Sequence, residues 1–291
     1  MDQSQNITQI IMDTINTIFE SIFNSIDNQL YSLLDNLIFI NKNILNDSYF
    51  HEIFGQSSSS GILLISNAFL FGFILYYSIK FLLAHLTYEK VDNPSSFFIK
   101  MILYGICMNS SFFIISFFLD IISNISSFIC SIGEDLCHQK ICFASLISNI
   151  NNQISINSTS LNIFTLNGLI KSTLSFSLLN LVFSYSLRYI LIKIFILLTP
   201  FSFLSLILTN TNWFFKSWLK NLFSLLFIQI FVSLILLLIF STNFSSSNLF
   251  NKCICIGGIY ALIKANSIIR DFIGGLSTTI SQSVNNFMKI K

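Results

Sequence analysis

The chain has 291 residues, 53% of them hydrophobic and 10% charged, with a formal net charge of +2 and a mean hydropathy of +0.74. A soluble domain carries roughly 25% charged residues. Charges this scarce cannot keep so much apolar surface in water, so a soluble globular fold is excluded and an integral membrane protein is expected. Ile, Asn, Phe, Ser and Leu are abundant while Arg, Pro and Ala are scarce, the bias of an AT-rich bacterial genome, so the 33 phenylalanines need no separate functional reason.

The first twenty residues, MDQSQNITQIIMDTINTIFE, lack the basic start and compact apolar core of a cleaved secretory signal. Ile7, Ile11, Ile15, Ile18, Ile22, Ile26, Leu30, Leu33 and Leu37 step by three and four along one helical face, with Asp13, Glu20 and Asp27 on the other. The spacing predicts an extracytoplasmic amphipathic helix within residues 1–60, too polar to span. It either lies on the outer leaflet or packs against copies of itself or a partner, and its acidic polar face favours protein contact.

Four stretches reach the ~20 apolar residues that a span requires: 61–86, 97–119, a third starting near Ser172, and 221–241. VDNPSS separates the first two, so residues 61–120 read as transmembrane helices 1 and 2. Residues 121–170, rich in Ser and Asn, read as an extracytoplasmic loop with partial helix. Asp120 is expected at its boundary, within reach of Lys171. Cys130, Cys137 and Cys142 in this loop either form one disulfide and a leftover thiol or stay as buried, inert thiols. Residues 171–275 supply transmembrane helices 3–5, the last of them, 253–275, interrupted by Lys264, and a cytoplasmic basic tail, 276–291, follows.

Charge distribution orients these spans. Residues 1–60 hold seven acids and one base, whereas residues 171–291 hold ten bases and one acid. Cytoplasmic flanks carry the excess Lys and Arg, so the expected protein is all-α and polytopic, with about five spans, the N-terminus outside and the C-terminus in the cytoplasm.

The stretch SYSLRYILIKIFILLTPF, 184–201, places Arg188, Lys193 and Pro200 inside an apolar run. Ser177, Asn180, Ser184 and Arg188 are spaced three, four and four and share one helical face. Such a face suits another helix, another subunit or a watery cavity better than lipid; snorkelling to the surface is the alternative for Arg188 and the expectation for Lys193. Ser172 to Leu208 is too long for one span and too short for two, so Pro200 is expected to break the helix near Leu198. With Lys193, the residues Trp213, Lys216, Trp218 and Lys220 read as an interfacial anchor of aromatic rings and cations. Gly257, Ala261 and Ala265 recur every four residues, a face that permits close helix packing.

His51, His85 and His138 lie far apart, and no nucleotide, zinc or nucleophile pattern is present, so no catalytic, cofactor or metal residues are assigned and the chain is not expected to be an enzyme. No internal repeat of the kind that builds secondary transporters is visible either.

The order of these features resembles the polytopic inner-membrane subunit of type IV secretion and conjugation systems, the TrbL-like family, and within it the compact Gram-positive type. The resemblance covers most of the chain and is carried by SLRYILIKIFILLTPFSFLSL, WFFKSWLKNLFSLLFIQ and IYALIKANSIIRDFIGG, with IFGQSSSSGILLISNAF and HLTYEKVDNPSSFFIK. It implies a non-enzymatic, oligomeric component of the bacterial inner membrane that helps form or support the channel for DNA or protein. Its partners would be the lipid bilayer, copies of itself, cytoplasmic ATPases and other secretion-system subunits, and the translocated substrate. The competing expectation is a stand-alone small transporter or channel-forming protein with Arg188 as an anion or gating site.

Overall fold

The computed structural model describes residues 9–18, 21, 33–55, 61–87, 93–155, 166–241 and 249–273. Of the amphipathic helix expected over 7–37, residues 9–18, 21 and 33–37 are helical, and the remainder, like the basic tail 276–291, lies outside the described residues. Among the described residues nine further helices follow: α1 Ser48–Phe54, α2 Ile62–Thr87, α3 Pro94–Asn109, α4 Ser111–Cys137, α5 Phe143–Ser155, α6 Leu166–Leu197, α7 Thr199–Leu204, α8 Asn212–Phe240 and α9 Leu249–Ile273. Among the described residues no strand occurs, and four helical stretches are long and apolar enough to cross a membrane: Ile62–Thr87, Ser111–Cys137, Ser172–Leu197 and Thr209–Phe240. The protein is therefore an all-α, polytopic membrane protein.

α8 is the centre of the main bundle. Its apolar window is 67% buried, against 11% for α2, so α8 meets protein on most sides while α2 is left for lipid. α4 runs parallel to α8, with Phe118 against Phe223 at 5.9 Å between ring centroids, Ser126 bonded to Ser233 at 2.5 Å, and the Cys137 thiol donating to the Phe240 carbonyl at 3.5 Å. α6 runs antiparallel to α8, because Trp218 reaches back to Phe195 and Arg188 to Leu225. α9 closes the bundle against α8 and α6; a Cβ at Gly258 would meet the Ile239 side chain at 2.5 Å, so the glycine is what lets these two backbones approach.

A second, smaller core joins α2, α3 and α7, built on Tyr77, Phe97, Met108, Leu204 and Ile207. α2 and α3 form an antiparallel hairpin: Asn67 and Asn109 exchange amide hydrogen bonds at its root, and Tyr77 stacks on Phe97 with centroids 3.8 Å apart. Tyr77 and Phe97 supply the aromatic surface that pairs two otherwise lipid-facing helices.

Two expectations are corrected here. The span expected over 97–119 is broken at Ser110, where α3 ends and α4 begins. The sequence Asn109-Ser110-Ser111 supplies polar side chains that compete for the backbone, and Asn109 Nδ2 bonds the Gly105 carbonyl at 2.9 Å. The loop expected from 121 starts instead after Cys137, because residues 121–137 continue α4. The fifth expected span, 253–275, falls on a continuous helix, Leu249–Ile273, which among the described residues is not one of the four stretches long and apolar enough to cross.

Candidate functional site

Residues 33–55, expected wholly outside the membrane, instead run the length of α4 in the opposite direction. Asp35 Oδ1 accepts from the Phe143 amide at 2.9 Å just beyond one end of α4, Lys42 pairs with Asp120 part-way along it, and His51 and Phe54 pack on Phe112 at the other end. The apolar side of the segment, from Leu34 and Ile38 to Leu45 and Phe50, is buried in the main core. Burial pushes the Asp35 carboxyl above the usual carboxylate range, against the opposing pull of the Phe143 and Ala144 amides.

Between Phe39 and Asp47 this segment is largely irregular, with one 3-10 turn at Lys42–Leu45. Irregular backbone beside spanning helices requires partners from the protein, since hydrocarbon supplies none. Gln229 Oε1 accepts from the Ile40 amide at 3.0 Å. Arg188, 0% exposed, donates through Nε to the Leu225 carbonyl at 2.8 Å and through Nη1 to the Ile38 carbonyl at 3.1 Å, with its guanidinium 5.8 Å from the Tyr185 ring centroid. Its Nη2 finds no acceptor among the described residues. Arg188 is thus a clamp between α6, α8 and the segment, held by carbonyl dipoles rather than by a carboxylate.

The other predicted residues separate. Ser184 is buried and accepts from Asn266 Nδ2 at 2.7 Å, whereas the Ser177 hydroxyl returns to its own helix at Thr173 and Asn180 is exposed. The stripe is therefore two residues deep in the core and two outside it. Lys193 does not end as a free cation: it pairs with Asp47 at 3.2 Å and lies 5.6 Å from the Phe50 ring centroid. Trp218 departs from the expected anchor, being buried with Nε1 bonded to the Phe195 carbonyl at 2.8 Å, while Trp213, Lys216 and Lys220 are exposed. Pro200 sits in the first turn of α7, just after α6 ends at Leu197. Ala265 is fully buried and Ala261 half-buried, but Gly257 faces open space; the close approach belongs to Gly258. Cys130, Cys137 and Cys142 are free thiols.

What emerges on the outer side of the segment is a polar groove. Asp120, Ser123, Ser127, Ser131 and Glu134 step by three and four along one face of α4, and Asn36, Asn41 and Lys42 border them from the segment. A cavity of about 490 Å³ is lined by Ser123, Ser127, Ser131 and Glu134 with Asn36, Asn41 and Gln229, and the Lys42–Asp120 pair lies beyond its wall along the same face. Lys42 Nζ lies 3.6 Å from Asp120 Oδ2, both side chains remaining partly exposed. Asp120 is nine residues into the 27-residue α4, about 14 Å along it at 1.5 Å per residue, well inside the apolar stretch. A lone charge facing lipid at that depth costs about 2.5–3.5 kcal/mol, and Lys42 offsets part of that cost by pairing with Asp120.

Sequence reasoning missed Gln229, Asn266 and the α4 stripe. Gln229 was detectable as the lone amide in LFSLLFIQIFVSLILLLIFS, and the stripe as a period of three and four through residues read as loop. Comparisons with protein-family models and with curated proteins find no match to this chain.

Proposed function

We propose that this chain is a non-enzymatic, oligomeric component of a type IV secretion or conjugative transfer apparatus in a bacterial inner membrane. Its polar groove would turn toward the interior of the assembly, where DNA or protein substrate passes. The observation that carries the reading is the Asp120–Glu134 stripe with Lys42 beside it: a hydrophilic face at membrane depth on the outside of a single chain. A stand-alone transporter would use a polar path enclosed within one chain, whereas among the described residues this groove is open on one side. Many apolar side chains of α2, such as Phe71, Leu75 and Leu86, remain for lipid or for adjoining subunits.

In this reading the N-terminus lies outside and the C-terminus inside, with Lys216, Lys220 and Arg270 toward the cytoplasmic ATPases. The resemblance of the sequence to TrbL-like subunits supplies the name of the machine, and the groove supplies a physical reason for assembly. Deleting the gene from its host is the test. Transfer of a mobilisable plasmid should fall to background and return on complementation, with ATPase levels unchanged; undiminished transfer would refute the assignment.

A further inference from the structure

One face of α2 changes character along its length. Phe69 and Phe73 line an apolar cavity of about 310 Å³ with Phe201 of α7 and Trp213 of α8. One turn further, Tyr76 and Lys80 line a cavity of about 260 Å³ with Ser96 and Lys100 of α3 and Thr209 and Asn210 of the turn before α8. Thr211 belongs to both walls, so the two cavities are consecutive along one helix face. Among the described residues no carboxylate lines either one.

Lys80 stands 18 residues after Ile62, the start of α2, about 27 Å along the helix, close to the ~30 Å thickness of a hydrocarbon core. The basic cavity sits about one turn beyond the apolar one along α2, and Phe81, Leu82 and Leu86 carry the exposed apolar surface of the helix past Lys80. Two ammonium groups with hydroxyl and amide neighbours suit a phosphate, and the aromatic slot one turn away suits an acyl chain. We propose that the α2–α3–α7 unit binds an anionic phospholipid, its headgroup phosphate between Lys80 and Lys100 and one acyl chain against Phe69, Phe73 and Trp213. A soluble phosphate shares the headgroup chemistry but leaves the aromatic slot empty.

The full chain is placed in phosphatidylcholine nanodiscs holding a minority of phosphatidylglycerol, with dibrominated acyl chains on one lipid or the other, and tryptophan quenching is read. Trp213 reports the slot, while buried Trp218 gives a constant background. Two lysines at a membrane surface predict a preference for phosphatidylglycerol of roughly 5- to 30-fold. The preference should disappear in Trp213→Phe, and should fall to parity in Lys80→Gln/Lys100→Gln with quenching by phosphatidylcholine and helix content unchanged. Parity in the native chain, or a preference that survives either variant, overturns the proposal. So does its loss on adding inorganic phosphate, which would reassign the cleft to a soluble anion.

Discussion

Replacing Arg188 with alanine is expected to destabilise the folded chain by about 3–5 kcal/mol, the range for truncating a large buried side chain. A face turned to another subunit or a watery cavity would allow a variant of normal abundance that fails only in transfer. The geometry predicts lower abundance, because the side chain is fully buried and joins α6, α8 and residues 33–47 through the Leu225 and Ile38 carbonyls. Arg188→Lys keeps the charge but not the fork that reaches two carbonyls on separate elements. It should fold, yet lose the docking of residues 39–47. Thermal unfolding in detergent and limited proteolysis report the two effects. If Arg188→Ala melts with the native chain and residues 39–47 stay protected, the clamp is not what holds the segment.

The second large effect concerns Lys42 and Asp120. Both side chains are partly exposed, so their 3.6 Å pairing contributes little to stability, and its importance is where it points. Lys42→Asp or Asp120→Lys sets like charges against each other in the groove and should reduce transfer about tenfold or more with protein level maintained. The exchange Lys42→Asp/Asp120→Lys restores the pair and should recover most of the transfer. A double variant as defective as either single one would show that the pairing itself is irrelevant.

Much of the fold was legible because hydrocarbon imposes a simple rule on composition. Runs such as ILLISNAFLFGFILYYSIK and NLFSLLFIQIFVSLILLLIF announce helices by length and apolarity alone. What stayed hidden was decided by contacts distant in sequence. Nothing local says that residues near Ile38 will lie against Arg188, 150 positions later, or that Asp47 will meet Lys193. Arg188 was singled out as a cation within an apolar run, but its partners are backbone carbonyls, which carry no sequence signature. The Asp120–Glu134 stripe was misread because its serines lowered the local hydropathy enough to pass as loop, although their spacing was helical throughout. Trp218 was misplaced because belt tryptophans and core tryptophans look alike until the helix phase is known: Trp213 and Trp218 lie on different faces of α8.

The central claim is that the α4 groove faces water in the assembled membrane protein. With the six native cysteines replaced, single cysteines are placed at Ser127, in the groove, and at Phe117 and Phe128, both exposed on other faces of α4. A charged, membrane-impermeant thiol reagent is then applied to native membranes. The account predicts modification at Ser127 at a rate approaching that of a loop cysteine, with Phe117 and Phe128 positions unmodified. A Ser127 cysteine as inert as those two would contradict it.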